Sequence, residues 1–120
     1  MTKTRIPPDP AFSSALNLDF TRRVAVETGQ QDWITSPSSK VWRKPLEREA
    51  AETGHTTSIV RFDPDSHFHE HEHPLGEEIL VLDGVFSDEH GDYGPGTYIR
   101  NPPGSRHSPF SREGLSLIHI

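Results

Sequence analysis

Punctuation limits what this chain can become more than any other feature. From His55 onward, short runs rich in Val, Ile, Leu, Thr and Phe are broken by Gly, Pro or Asp, and no helix of ordinary length fits between the breaks. Thr56 to Phe62 is dense in β-branched residues, and Asp63-Pro64-Asp65-Ser66 turns the chain. Glu78 to Leu82 reads as a strand, Asp83-Gly84 as a tight turn, Val85 to Ser87 as its return and Glu89 to Asp92 as another turn. Gly96 to Arg100 and Leu115 to Ile120 complete the set. Upstream, Val24 and Val26 mark a short edge strand, and Lys40 to Leu46 reads as a strand that Pro45 keeps at an edge. Leu46 to Glu52 has helical composition but room for two turns at most before Gly54, so strand plus turn is preferred. The expectation is an all-β fold, a small antiparallel β-barrel or sandwich.

A chain of 120 residues is long enough for one domain. Residues 1–20, rich in Pro, Ser, Thr and Asp without a sustained period, read as a loosely ordered arm, and 21–120 as a single domain. Cysteine is absent, which excludes a disulfide scaffold, thiolate metal ligands and a thiol nucleophile. No apolar stretch has the length of a signal peptide or a spanning helix, so a cytoplasmic protein without a membrane partner is expected. The net charge of -6 is concentrated: from Asp63 to Asp92 there are ten acidic residues and no Lys or Arg. Such a stretch repels a phosphate backbone and attracts cations, which argues against nucleic acid as a partner. Most of these acids, Asp88, Glu89 and Asp92 among them, are expected on the solvated surface. The last strand runs straight into Ile120, where a barrel ordinarily adds a short tail. The natural sequence is therefore expected to continue, and Leu115 to Ile120 is not relied on as its natural end.

His67, His69, His71 and His73 alternate with Phe68, Glu70 and Glu72. On an extended strand the side-chain period is two, so the four imidazoles share one face and the glutamates the other. Beyond Pro74-Leu75-Gly76, the same counting puts Glu77, Ile79 and Val81 on one face and Glu78, Leu80 and Leu82 on the other. Farther along, Gly96, Pro102, Pro103 and Gly104 turn the chain sharply enough to bring His107 across from the histidine strand.

The spacing His71-x-His73, three residues, Glu77, six residues, Gly84, then Gly96-x5-Pro102-x-Gly104-x2-His107, resembles the two motifs of the cupin superfamily. Trp42 to Glu49, Gly54 to Phe62, Gly76 to Glu89 and Gly96 to His107 narrow the likeness to ChrR-like cupin domains, over roughly Trp33 to Leu117. The resemblance implies a double-stranded β-helix of jelly-roll type. It also implies His71, His73, Glu77 and His107 as ligands of one divalent ion per subunit, with Fe, Zn, Mn or Ni all suited to three imidazoles and a carboxylate. Choosing His69 in place of His73 would leave five residues before Glu77, so His69 is expected at the rim, as a donor to a ligand or a substrate contact. His55, His90 and His119 lack comparable spacing and are expected on surfaces or turns. Two positions depart from the pattern: Asp65 stands where the first motif usually has glycine, and Ser111 where the second usually has asparagine.

The resemblance implies a metal-dependent enzyme acting on a small carbonyl-containing substrate, in the manner of the similar acetylacetone-cleaving dioxygenases. Glu77 differs from those, which hold iron with histidines alone. Tyr98, Arg100 and Arg106 are candidate substrate contacts, as are Arg43 and Arg61, although the ordinary role of such arginines is surface pairing. The alternative is a non-catalytic sensor that binds metal and ligand without turnover. Direct sigma-factor binding, the role of the anti-sigma factor that names the family, is not expected, because residues 1–32 are too short and lack the His and Cys ligands of its partner-binding part. Leu80 and Leu82 form an apolar outer face that calls for a cover, so a homodimer is expected.

Overall fold

The computed structural model describes residues 15–35, 40–49, 55–67 and 71–120, with the backbone alone at 71 and 72. Twelve strands occur among them: β1 (Ile34–Thr35), β2 (Val41–Arg48), β3 (Thr56–Phe62), β4 (Ser66–His67), β5 (His71–His73), β6 (Glu77–Gly84), β7 (Phe86–Asp88), β8 (Gly91–Tyr93), β9 (Tyr98–Asn101), β10 (Ser105–His107), β11 (Phe110–Ser111) and β12 (Leu115–His119). A single turn of 3-10 helix, Thr28–Gln30, precedes them. No helix among the described residues is long and apolar enough to cross a membrane.

The strands pair antiparallel in a six-stranded sheet, β1-β2-β3-β12-β6-β9, a four-stranded sheet, β4-β11-β7-β8, and a two-stranded ladder, β10-β5. The all-β arrangement is the expected jelly-roll type, but among the described residues the ladders form three separate sheets and do not close into one ring. The alternation of side chains explains where the core lies. Register aligns Val41, Phe62 and Leu115 in one inward row, and Arg43, Val60, Leu117 and Val81 in the next. A third row holds Pro45, Ser58, His119, Ile79 and Ile99, and Glu77 faces Asn101 in the last. The apolar members of the first rows, with Ile79 and with Phe86 from β7, are the buried core, and Phe62 meets Phe86 edge to face at 6.5 Å between centroids. The later rows turn polar, at the end of the sheet beside the β5-β10 ladder.

Local sequence accounts for the irregularities. Asp65, at the usual glycine position, has φ of 58°, a left-handed conformation that Asp tolerates better than most residues. Pro45 falls beyond the reach of β1, which pairs only with Trp42 and Arg43, so its missing N–H costs no ladder bond on that side. The short edge strand is Ile34–Thr35 and not the expected Val24 to Val26, which is exposed and outside any strand. Trp33 fixes that edge: its ring lies between the ammonium of Lys44, 4.6 Å from the centroid, and the guanidinium of Arg61, at 4.7 Å. Residues 1–14 of the expected arm lie outside the described residues, whereas Leu16 exchanges two backbone hydrogen bonds with Arg48, both 2.9 Å.

Candidate metal centre

Two turns bring the site together, and both are tied to one atom. The backbone carbonyl of His73 accepts the N–H of Gly76 at 3.1 Å and that of Gly104 at 2.8 Å. Gly76 has φ of 79°, and a Cβ there would stand 2.9 Å from the Asn101 carbonyl oxygen, so the turn between His73 and Glu77 requires glycine. The β5-β10 register then sets Ser105 opposite His73 and His107 opposite His71.

Glu77 is the centre of the cluster, its side chain 3% exposed. Its Oε2 lies 2.8 Å from His107 Nε2 and accepts the side-chain amide of Asn101 at 2.9 Å. Its Oε1 lies 3.1 Å from His73 Nε2 and 2.7 Å from His119 Nε2. The Nε2 atoms of His73 and His107 are themselves 3.0 Å apart. Candidate donor atoms of His73, Glu77 and His119 all lie within 4.8 Å of one another. Phe86, its ring centroid 6.5 Å from that of His107, joins the cluster to the apolar core.

Charge is unevenly held here. Burial works to raise the Glu77 carboxyl, but hydrogen bonds to His107 and His119 and the charges of His119 and His73 outweigh it and hold the group well below the usual carboxylate range. Burial lowers His107, yet its hydrogen bond to Glu77 and the charges of Glu77, Asp88 and Glu89 carry it above the ordinary histidine value. At His119 burial dominates and the net direction is downward.

The donor set fits a divalent cation. Ligands about 2.1 Å from one ion and at right angles to each other stand about 3 Å apart, the separation seen among His73, His107 and Glu77. Imidazole nitrogens with a carboxylate oxygen suit Zn and the other first-row divalent metals, and the anionic Glu77 supplies the charge such an ion attracts.

Of the residues singled out in the sequence, His73, Glu77 and His107 converge. The backbone of His71 sits in register with His107, and its side chain lies outside the described part, as does all of His69. Tyr98, Arg100 and Arg106 are on the opposite face from the pocket. Alternation along β9 turns Ile99 and Asn101 inward, leaving Tyr98 exposed with its hydroxyl donating to Glu78 Oε2 at 2.8 Å. Arg106, between inward Ser105 and His107, is exposed. His55 and His90 are exposed as expected, with His55 Nδ1 2.6 Å from Glu47 Oε1. His119 corrects the expectation of a surface residue: it follows buried Leu115 and Leu117 at period two and so enters the pocket, a signal the alternation already contained. Asn101 was overlooked for a different reason, since its role as hydrogen-bond partner of Glu77 depends on the β6-β9 register.

The profile of the family described as ChrR Cupin-like domain matches residues 21–120. Comparison with curated proteins returns no match. Among solved structures, an acetylacetone dioxygenase from Acinetobacter johnsonii aligns with a TM-score of 0.72 and 18% identity, covering 88% of this chain and 78% of that one. The polyketide cyclase RemF from Streptomyces resistomycificus aligns at 0.67 and 16% identity, covering 82% and 78%. An RmlC-like cupin from Shewanella frigidimarina aligns at 0.66 and 17%, covering 82% and 87%. At these identities the likeness is one of fold.

Proposed function

Because this chain belongs to the ChrR cupin-like domain family, we propose that it is a metal-dependent enzyme acting on a small carbonyl-containing substrate, with an oxygenase as the first activity to test. The single observation that carries this reading is the approach of His73, His107 and Glu77 to within 2.8–3.1 Å around a buried anion. His71, His73, Glu77 and His107 are assigned as ligands on the motif spacing, which asks nothing of His119.

A bound divalent ion supplies Lewis acidity toward a carbonyl oxygen and, as iron, redox chemistry. The protein's own residues do the rest. Asn101 fixes the Glu77 carboxylate by donating to Oε2. Phe86, packed on Phe62, closes one side of the pocket against water. The structural likeness to an acetylacetone dioxygenase makes 1,3-diketones and enolisable aromatic ketones the first substrates to try.

The test is to purify the chain without chelators or a histidine-rich tag, measure its metal content, and follow oxygen uptake of the Fe(II)-loaded protein across that panel. Iron with substrate-dependent uptake supports the enzyme. Tight stoichiometric zinc without uptake would favour a metal-holding sensor, a reading that His119 supports, since one more imidazole beside Glu77 leaves less room for substrate.

A further inference from the structure

Two exposed apolar regions stand at opposite edges of the six-stranded sheet. The first is an arm, residues 18–30, which leaves the edge of β2 and returns to it, held at both feet. Leu16 exchanges backbone hydrogen bonds with Arg48, and the side-chain amide of Asn17 donates to the Leu46 carbonyl at 2.8 Å. At the other foot the Gln31 amide donates to the Pro45 carbonyl at 2.9 Å, and Lys44 Nζ donates to the Thr28 carbonyl at 2.7 Å. Between the feet every residue from Thr21 to Glu27 is exposed, Val24 and Val26 among them, and Phe20 stays 71% exposed although its ring meets that of His55. An arm fixed at both ends that leaves its apolar side chains in water gains by meeting a surface outside its own fold.

The second region is the far half of the sheet's outer face. Register carries one outward row through Lys44, Ile59, Ile118, Leu80 and Tyr98. Over β2 and β3 that face is occupied by Trp33, against Lys44 and Arg61. Over β6 and β9 it is open, with Leu80, Leu82 and Tyr98 exposed. The charges of the two regions correspond. Exposed Arg22 and Arg23 precede Val24 and Val26, whereas Glu78 and exposed Asp83 flank Leu80 and Leu82. Glu78 accepts the Tyr98 hydroxyl and faces Arg100 in the β9 register, so Asp83 is the charge left to answer the arm.

Topology makes the match reciprocal. β2 is second from one edge of the sheet and β6 is second from the other. A two-fold axis along the strands, between two such sheets facing each other, sets the β2 edge of each over the β6 edge of the other. Both arms then find a patch at once, and the contact closes as a dimer without propagating further. We infer that the partner for this face is a second copy of the chain, bound by an exchange of arms in which Val24 and Val26 of each protomer lie on Leu80 and Leu82 of the other, with Arg22 and Arg23 beside Asp83. The inference asks nothing of the metal centre.

The full chain is expected to sediment as a dimer at micromolar concentration. Val26→Asp and Leu80→Asp are each expected to weaken association at least about thirtyfold, and Asp83→Lys about tenfold, with far-UV circular dichroism unchanged. Val26→Asp decides the matter if Leu80→Asp does not fold, because residue 26 lies in no strand or helix. The chain has no cysteine, so introduced thiols report the contact directly. Under mild oxidation Val26→Cys combined with Leu80→Cys is expected to give a covalent dimer, and Leu80→Cys alone is not. A monomer up to about 100 μM would overturn the exchange, and a fall in its Tm on Leu80→Asp would assign the patch to residues 1–14 instead. A dimer indifferent to Val26→Asp or to Asp83→Lys, a disulfide closed within one chain, or a dimer cross-linked by Leu80→Cys alone, patch against patch, would each overturn it as well.

Discussion

The inward face of the six-stranded sheet has two ends built by the same alternation and put to opposite uses. At one end Val41, Phe62 and Leu115 align and pack on Phe86, and every group there gains by leaving water. At the other end Glu77 and Asn101 face each other, with Arg43, Ser58 and His119 in the rows between. Burial there costs free energy unless each polar atom finds a partner, and the hydrogen bonds converging on Glu77 provide that compensation. The contrast teaches that register fixes position while residue type decides whether a row stabilises the fold or binds a ligand.

The contrast breaks if a change at the apolar end damages the site selectively, or the reverse. Phe62→Ala is expected to cost about 3–5 kcal/mol in urea unfolding, with zinc affinity of the remaining folded protein near its original value. Glu77→Ala is expected to lower zinc affinity at least about 100-fold by chelator competition; unchanged occupancy would remove Glu77 from the ligand set.

A smaller effect appears with pH in the metal-free protein. The Glu77 carboxyl is depressed on folding, so its stabilising contribution is full above its unfolded value near 4.5 and is lost as pH falls below it. His107 is raised, so its contribution is full below its unfolded value near 6.5 and fades as pH rises through its higher folded value. The pair is therefore worth most between about pH 4.5 and 6.5. Glu77→Gln should flatten the dependence of Tm on pH at both edges of that window, and an unaltered profile would contradict the pairing.

His119→Val separates the two ligand sets. One zinc per chain, held within about tenfold of the original affinity, is expected from the four-residue assignment, and loss of the ion would make His119 a ligand. The smallest effect belongs to the outer face: Tyr98→Phe should leave zinc affinity unchanged and shift Tm by less than about 2 °C in a thermal melt.

Much of this was legible in the residues. Strand β3 matches the β-branched run Thr56 to Phe62, and the period of two separated Glu77, Ile79 and Val81 from exposed Leu80 and Leu82. His73, Glu77 and His107 could be picked out because their spacing is a local property of two turns. What escaped were relations across strands. Asn101 meets Glu77 only because β6 and β9 lie side by side in one register, and nothing in its immediate neighbours announces it. The edge strand was misplaced from Val24 to Ile34 because the decisive anchor, Trp33 between Lys44 and Arg61, spans distant segments. Tyr98 and Arg100 were drawn toward the site by proximity in sequence, while the pleat of β9 turned them away from it.

The carbonyl of His73, receiving amide hydrogens from Gly76 and Gly104 together, works as a rivet through both loops. Main-chain bonds formed on folding already set how far apart the loops stand, so an incoming cation meets a seat with its shape in place. Little ordering is left for the cation to drive, and more of its intrinsic attraction survives as measured affinity.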